Sequence, residues 1–279
     1  MVKMRTKIVN IALIALMLSN MAYCLPDDKK PIVKEDEKKQ SLYFSNLSDE
    51  QYAQLKKMYK KVTDDEKLIY AVELLSSTPG EFSRNAILGK NLTMKPVKIE
   101  FRNLGEMSKK HASFDALGYK RKDKLYIYIN QKHEDAPPSA LAALLAHEAI
   151  HQDEFNSLNE ETYAWTLEAV VWYNLSKKFP EDAKKMHPLV NRENTLKMLL
   201  EKGDYTDKYI RKSVYSNPGY SNLNSRSPGF EDPEPISMFI DLFMIGDGED
   251  VNIEVFKLYA KLKEENKTRS EIIEALSQI

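Results

Sequence analysis

The sequence predicts an α+β fold in which a small sheet packs on one central helix and the C-terminal part is mainly helical. Two stretches carry the strand signal. Val97-Lys98-Ile99-Glu100-Phe101 alternates apolar and polar, and Lys124 to Asn130 alternates with β-branched and aromatic residues. The helical signal is strongest from Ser139 to about Phe155 and from Glu160 to Lys178. The composition agrees with a globular chain: 279 residues, 42% hydrophobic and 30% charged, with a formal net charge of −1. Without a basic excess there is no electrostatic footprint for nucleic acid, so no nucleic-acid partner is expected. A single cysteine excludes a disulfide framework and a Cys-ligated zinc site.

The elements follow in chain order. Lys3, Arg5 and Lys7 precede the apolar run Ile8 to Leu18, and small and polar residues close it at Cys24. That three-part layout predicts a signal peptide over 1–24 and an exported protein, periplasmic or secreted. The run is too short to span a bilayer, which takes ~20 residues, so no transmembrane segment is expected in the mature chain. The alternative is a lipid anchor through Cys24, although Tyr23 fits poorly before a lipidated cysteine. Residues 25–47 are rich in Lys, Asp, Glu and Pro and read as a disordered tether. Residues 48–180 are read as the catalytic region.

Ser48 with Gln51 predicts a helix start, and Tyr52, Leu55, Met58, Tyr59 and Val62 recur at helical spacing. A second helix is expected from Asp65 to Ser76, ended by Thr78-Pro79-Gly80. Phe114 to Tyr119 is a further strand candidate. After Ala136-Pro137-Pro138, Ser139 is the expected cap of the central helix. Residues 181–279 read as a helical C-terminal region interrupted by a long loop at 213–235, which carries Val214, Tyr215, Tyr220, Leu223 and Phe230. Loops of that length are usually functional or disordered.

The chemistry is carried by His147-Glu148-Ala149-Ile150-His151. Histidines at i and i+4 on a helix share one face, about 6 Å apart along the axis, and their imidazoles can converge on one metal ion. Glu148, turned by about 100° from His147, points to the open side of that ion and can act as a general base. The preceding run Ala140 to Ala146 is apolar and helical, so the motif lies on a buried helix, where unpartnered imidazoles would be costly. A third protein ligand should come from a neighbouring helix, and Glu160 and Glu161 open the next one.

Over roughly Val97 to Leu175, with the motif and the helix after it at its centre, the sequence resembles the gluzincin branch of the zincin metallopeptidases. In that family HExxH is followed by a helix bearing a ligand Glu in the pattern E-x-x-[A/S]-D. Glu161-Thr162-Tyr163-Ala164 matches it, and that register selects Glu161 over Glu160. The resemblance implies a zincin-like fold, a Zn²⁺ ion held by His147, His151 and Glu161, Glu148 as catalytic base, and a peptide or protein substrate. Trp165 stands where the family often has an Asp that orients a ligand histidine; Glu168, on the same helix face as Glu161, could supply that carboxylate. The strand Tyr126 to Ile129 is the expected edge strand beside the cleft. Tyr205, Tyr209, Tyr215, Tyr220, His187 and Arg192 are all available as oxyanion donors. His111, His133 and His187 are expected to be exposed, and Trp165 and Trp172 to be packing anchors. The expectation is therefore an exported zinc metallopeptidase. Its alternatives are a metal-dependent hydrolase of cell-wall peptides and a non-catalytic envelope binding protein with a structural or vestigial metal site.

Overall fold

The computed structural model describes residues 42–76, 78–90, 94–152 and 155–231, with single positions between 258 and 278. The expected signal peptide with Cys24, the tether as far as residue 41, and the expected C-terminal region beyond residue 231, those single positions apart, lie outside the described residues.

Ser48 opens α1 (Asp49–Tyr59) through a capping box with Gln51. Asp65 accepts the Leu68 amide and opens α2 (Glu66–Glu73). A third helix, α3 (Glu81–Ile87), went unpredicted because seven residues are too few to display a period. Then come β1 (Val97–Arg102), the single turn α4 (Leu104–Met107), β2 (Ala116–Arg121) and β3 (Lys124–Asn130).

The sheet order is β1-β3-β2, with β3 parallel to β1 and antiparallel to β2. This corrects the expected edge strand. Tyr126 to Ile129 lies in the central strand, whose two edges are both bonded, and β2 is the strand left at the edge beside the central helix. Strand patterning reveals which face is buried but not which neighbour pairs, because order in a sheet is a tertiary property. Ile99, Leu125 and Ile127 are buried toward the helices. On the other face Tyr128 stacks with Tyr126 and Tyr119 at centroid distances of 5.4 and 6.0 Å.

The central helix is α5 (Pro138–Glu148), and every residue from Ser139 to Glu148 is buried. A helix apolar all round belongs in the middle of a fold. It packs against α6 (Leu158–Lys178), α7 (Pro188–Lys202), α2 and β2. Pro138 takes the first helical position, where its missing N–H is no loss. Ser139 is therefore inside the helix and not its cap; its hydroxyl donates to Asp182 Oδ2 at 2.7 Å. The helix also ends earlier than expected, at Glu148. From there the amides of Ile150 and His151 bond three residues back, to His147 and Glu148 at 3.0 and 3.3 Å, which tightens the chain into a turn.

Helix α6 crosses α5 and carries Trp172, fully buried, with its indole N–H on Asn194 Oδ1 at 2.9 Å. Ala169 and Val170 on α6 meet Leu196 and Leu200 on α7, and Ile210 and Val214 on α8 (Lys208–Tyr215), in a satellite core. After α8 the chain runs irregularly to Glu231 and crosses the N-terminal end of α6. There Asn224 O and Ser225 O accept the amides of Leu158 and Asn159 at 2.9 and 3.1 Å. Among the described residues no helix is long and apolar enough to cross a membrane.

Candidate metal centre

His147 sits in the last turn of α5, and His151 lies on the turn beyond it. The turn keeps the two rings facing, with Nε2 atoms 3.3 Å apart. Glu161, in the first turn of α6, closes the triangle: Oε1 is 3.7 Å from His151 Nε2 and Oε2 is 3.8 Å from His147 Nε2. A tetrahedral ion with bonds of about 2.0–2.1 Å needs ligand atoms about 3.4 Å apart. These three side chains alone, among the described residues, form a group able to hold a metal ion. Glu161 Oε1 accepts from Asn156 Nδ2 at 2.6 Å, while the buried Oε2 has no hydrogen-bond donor. The donor set, two imidazoles and a carboxylate with an unpartnered buried oxygen, fits a divalent transition metal.

Each histidine is oriented from behind. His151 Nδ1 lies 2.9 Å from Glu160 Oε1, and His147 Nδ1 lies 3.0 Å from Glu168 Oε2. The His151 contact is a hydrogen bond and turns Nε2 toward the centre, whereas His147 Nδ1 lies close to Glu168 without making one. Glu160 thus stands behind His151, while its neighbour Glu161 faces the centre. Glu168, the carboxylate expected near a histidine, lies beside His147. Trp165 packs on the satellite core as expected, and its ring also lies 6.4 Å from that of His147, with its indole N–H reaching the Tyr220 hydroxyl at 3.1 Å.

Glu148 is buried at the end of α5, under β2. A Cβ built on Gly118 would stand 3.6 Å from Glu148 Oε2 and 3.3 Å from His151 Cβ. Glycine there lets the edge strand approach both groups. Burial raises the Glu148 carboxyl above the usual carboxylate range, against the pull of His147 and His151. A carboxyl raised in this way is suited to exchanging a proton near neutral pH.

Behind the centre lies a charge cluster that sequence reasoning missed. Arg192 on α7 forks onto Glu168, with Nη2–Oε2 at 2.9 Å and Nη1 also bonded, and Nη1 reaches Glu193 Oε1 at 3.2 Å. Its Nε is 3.5 Å from Asp115 Oδ2, and Asp115 Oδ1 holds His133 Nε2 at 2.8 Å. His133 and His187 are buried, not exposed as expected, each held by an aspartate: His133 by Asp115, and His187 by Asp135 at 3.1 Å. Burial opposes the charge on Glu168, but Arg192 and His147 outweigh it and hold the carboxyl at about 2. Burial and the Glu168 charge instead push Glu193 well above the carboxylate range. A raised carboxyl binds its proton more tightly folded than unfolded, so it subtracts stability as pH rises above the unfolded value of ~4.3. Glu193→Gln keeps the acceptor for Arg192 and supplies a donor toward Glu168. It should therefore raise the midpoint of urea unfolding at pH 8 and leave it nearly unchanged at pH 4. A lower midpoint at pH 8 would mean that Glu193 is charged in the fold.

The other candidate donors separate. The Tyr220 hydroxyl stands beside the Glu161 carboxylate, where burial and that charge raise its pKa. Tyr215 bonds Asn159 at 2.9 Å, Tyr205 packs on Tyr173, and Tyr209 lies under Lys202.

His151 dictates a pH dependence. Burial opposes the imidazolium, but the Glu160 hydrogen bond and the charges of Glu161 and Glu148 outweigh it and raise the pKa to about 9. The group therefore contributes stability below its unfolded value of ~6.5, lost as pH climbs toward its folded value, a change of at most about 3 kcal/mol. Chelator-treated protein should thus weaken in urea melts between these limits. Ligation must displace that proton, so zinc affinity should climb over the same interval. A flat affinity profile would place the proton elsewhere.

Residues 227–279 match the family model for radical SAM proteins, N-terminal. The match covers less than a quarter of the chain, and of that segment only residues 227–231 and the single positions are described. None of the curated proteins and none of the solved structures matches the chain. This match overturns the expected zinc metallopeptidase activity and its cell-wall variant, since it points to a radical enzyme and not to a hydrolase. The coarse expectation of an enzyme agrees with it. The physical reason for the correction is that two histidines and a glutamate specify how an ion is held and leave the reaction open. An iron–sulfur cluster is held by several cysteine thiolates. These residues include one cysteine, Cys24, and so do not themselves fit such a cluster.

Proposed function

We propose that the protein is a metal-dependent enzyme whose centre is formed by His147, His151 and Glu161, in a zincin-like arrangement of helix, edge strand and crossing helix. Zinc is the first candidate ion. The observation that carries the reading is the triangle of 3.3, 3.7 and 3.8 Å made by the two Nε2 atoms and the Glu161 oxygens. The buried carboxylates Glu148, Glu160, Glu161 and Glu168 surround that triangle, and a divalent cation offsets their charge. A bound divalent ion supplies Lewis acidity at a coordination position that the protein leaves open. Glu160 holds the His151 ring through its Nδ1, and Glu168 stands beside Nδ1 of His147. Glu148, raised by burial and placed under Gly118, holds or accepts a proton beside the ligands. The reading covers metal-assisted proton transfer, and peptide hydrolysis is not part of it.

Titration of chelator-treated protein with Zn²⁺ or Co²⁺ tests it. One equivalent should bind tightly, and Glu148→Gln should bind as well as wild type, because Glu148 serves the proton and not the ion. Absence of saturable binding by wild type at pH 8 would overturn the reading.

A further inference from the structure

The irregular stretch from Asn217 to Phe230 is fastened to the N-terminal end of α6 by more than its two backbone hydrogen bonds. The Ser227 hydroxyl donates to Glu160 Oε2 at 2.8 Å and lies 2.9 Å from the Ser157 hydroxyl. Phe230 O accepts the Asn159 side-chain amide at 3.0 Å, and its ring packs on Tyr163 with centroids 5.7 Å apart. At the other end Tyr220 takes the Trp165 indole N–H and faces Glu161. One segment therefore touches both adjacent carboxylates of the site: Glu160, which orients His151, and Glu161, which faces the triangle. Ser227 is buried, whereas Arg226 beside it is exposed.

We infer that this segment is a strap whose seating is coupled to metal binding, with Ser227 as a positioning residue acting through Glu160 on His151. The inference rests on the reading of the triangle as a metal centre. A seated strap holds the Glu160 carboxylate square to His151 Nδ1 and so keeps Nε2 aimed at the ion. Coupling between two binding events is reciprocal, so an ion that gains affinity from the seated strap must in turn hold the strap down. The strap leads directly into the C-terminal segment, so metal occupancy controls how firmly that segment's first residues are anchored.

The test uses the full chain and zinc. Trypsin can cut the strap after Arg226. Saturating zinc should slow that cut in wild type by roughly the factor by which Ser227→Ala weakens zinc binding, on the order of 10-fold, as for other groups behind metal ligands. Ser227→Thr keeps the hydroxyl and should restore both affinity and protection. If wild type binds zinc, but Ser227→Ala binds it equally well and cleavage after Arg226 ignores zinc, the coupling is overturned while the metal centre stands. If wild type binds no zinc, the reading of the centre itself fails. A Ser227→Ala loss that Ser227→Thr does not restore would show a packing defect and also overturn the role given to the hydroxyl.

Discussion

His147→Ala should lose zinc affinity by roughly a hundred- to a thousand-fold. A structural zinc site is worth about 10–16 kcal/mol in all, shared over its coordination positions, so one ligand accounts for about 3–4 kcal/mol. The loss should be at the upper end because the groups behind His147 cannot substitute for it. Glu168 is held by the Arg192 fork and points at the place the imidazole leaves, not at the ion. His151→Ala and Glu161→Ala should lose comparable affinity. Glu160→Ala removes an orienting carboxylate and should lose about 10–100-fold. Competition against a chromophoric chelator at pH 8 separates these classes. If Glu160→Ala proved the more damaging of the two glutamate variants, the roles of the neighbours would be exchanged. Full occupancy in both histidine variants would place the ion elsewhere.

Arg192→Ala should be the most destabilising single change outside the apolar core, by about 3–5 kcal/mol. One guanidinium serves Glu168, Glu193 and Asp115, and Glu168 and Glu193 are fully buried. Its removal leaves the buried Glu168 carboxylate with no guanidinium to answer it, whereas Glu193 already holds a proton. Glu168 can then only take up a proton, which raises its folded pKa. The loss should therefore deepen as pH rises from 5 to 8. Arg192→Lys should rescue little, since an ammonium cannot make the paired bonds of a guanidinium fork. Urea unfolding at the two pH values reads the effect, and a loss below about 1 kcal/mol would mean the cluster is wet and the carboxylates are screened by water.

What could be read along the chain was what local chemistry determines. The bounds of β3 follow from its alternation, whereas α6, expected to open at about Glu160, starts at Leu158 with Ser157 as its cap. The meeting of His147 and His151 follows from the pitch of a helix. The candidate third ligand came from a family register, Glu161 to Ala164, and the place of Glu168 from its position two turns further along the same face. The rest depends on tertiary geometry. Arg192 lies 24 residues from Glu168, and Ser227 lies 67 residues from Glu160. No spacing rule connects such pairs. The order of the three strands depends on which neighbour pairs, so the edge fell to β2. The end of α5 depends on a switch from four-residue to three-residue hydrogen bonds that Ala149 and Ile150 do not announce. The activity was least legible, because the motif describes the grip on an ion and carries no description of what is transformed.

The early end of α5 has a mechanical consequence. His147 is clamped inside a helix buried on every side, whereas His151 sits on a turn closed by hydrogen bonds of 3.0 and 3.3 Å and is held from behind by Glu160. In the proposed metal centre one jaw therefore belongs to the core and the other to a turn, so a difference in ion radius should be taken up at His151 rather than at His147.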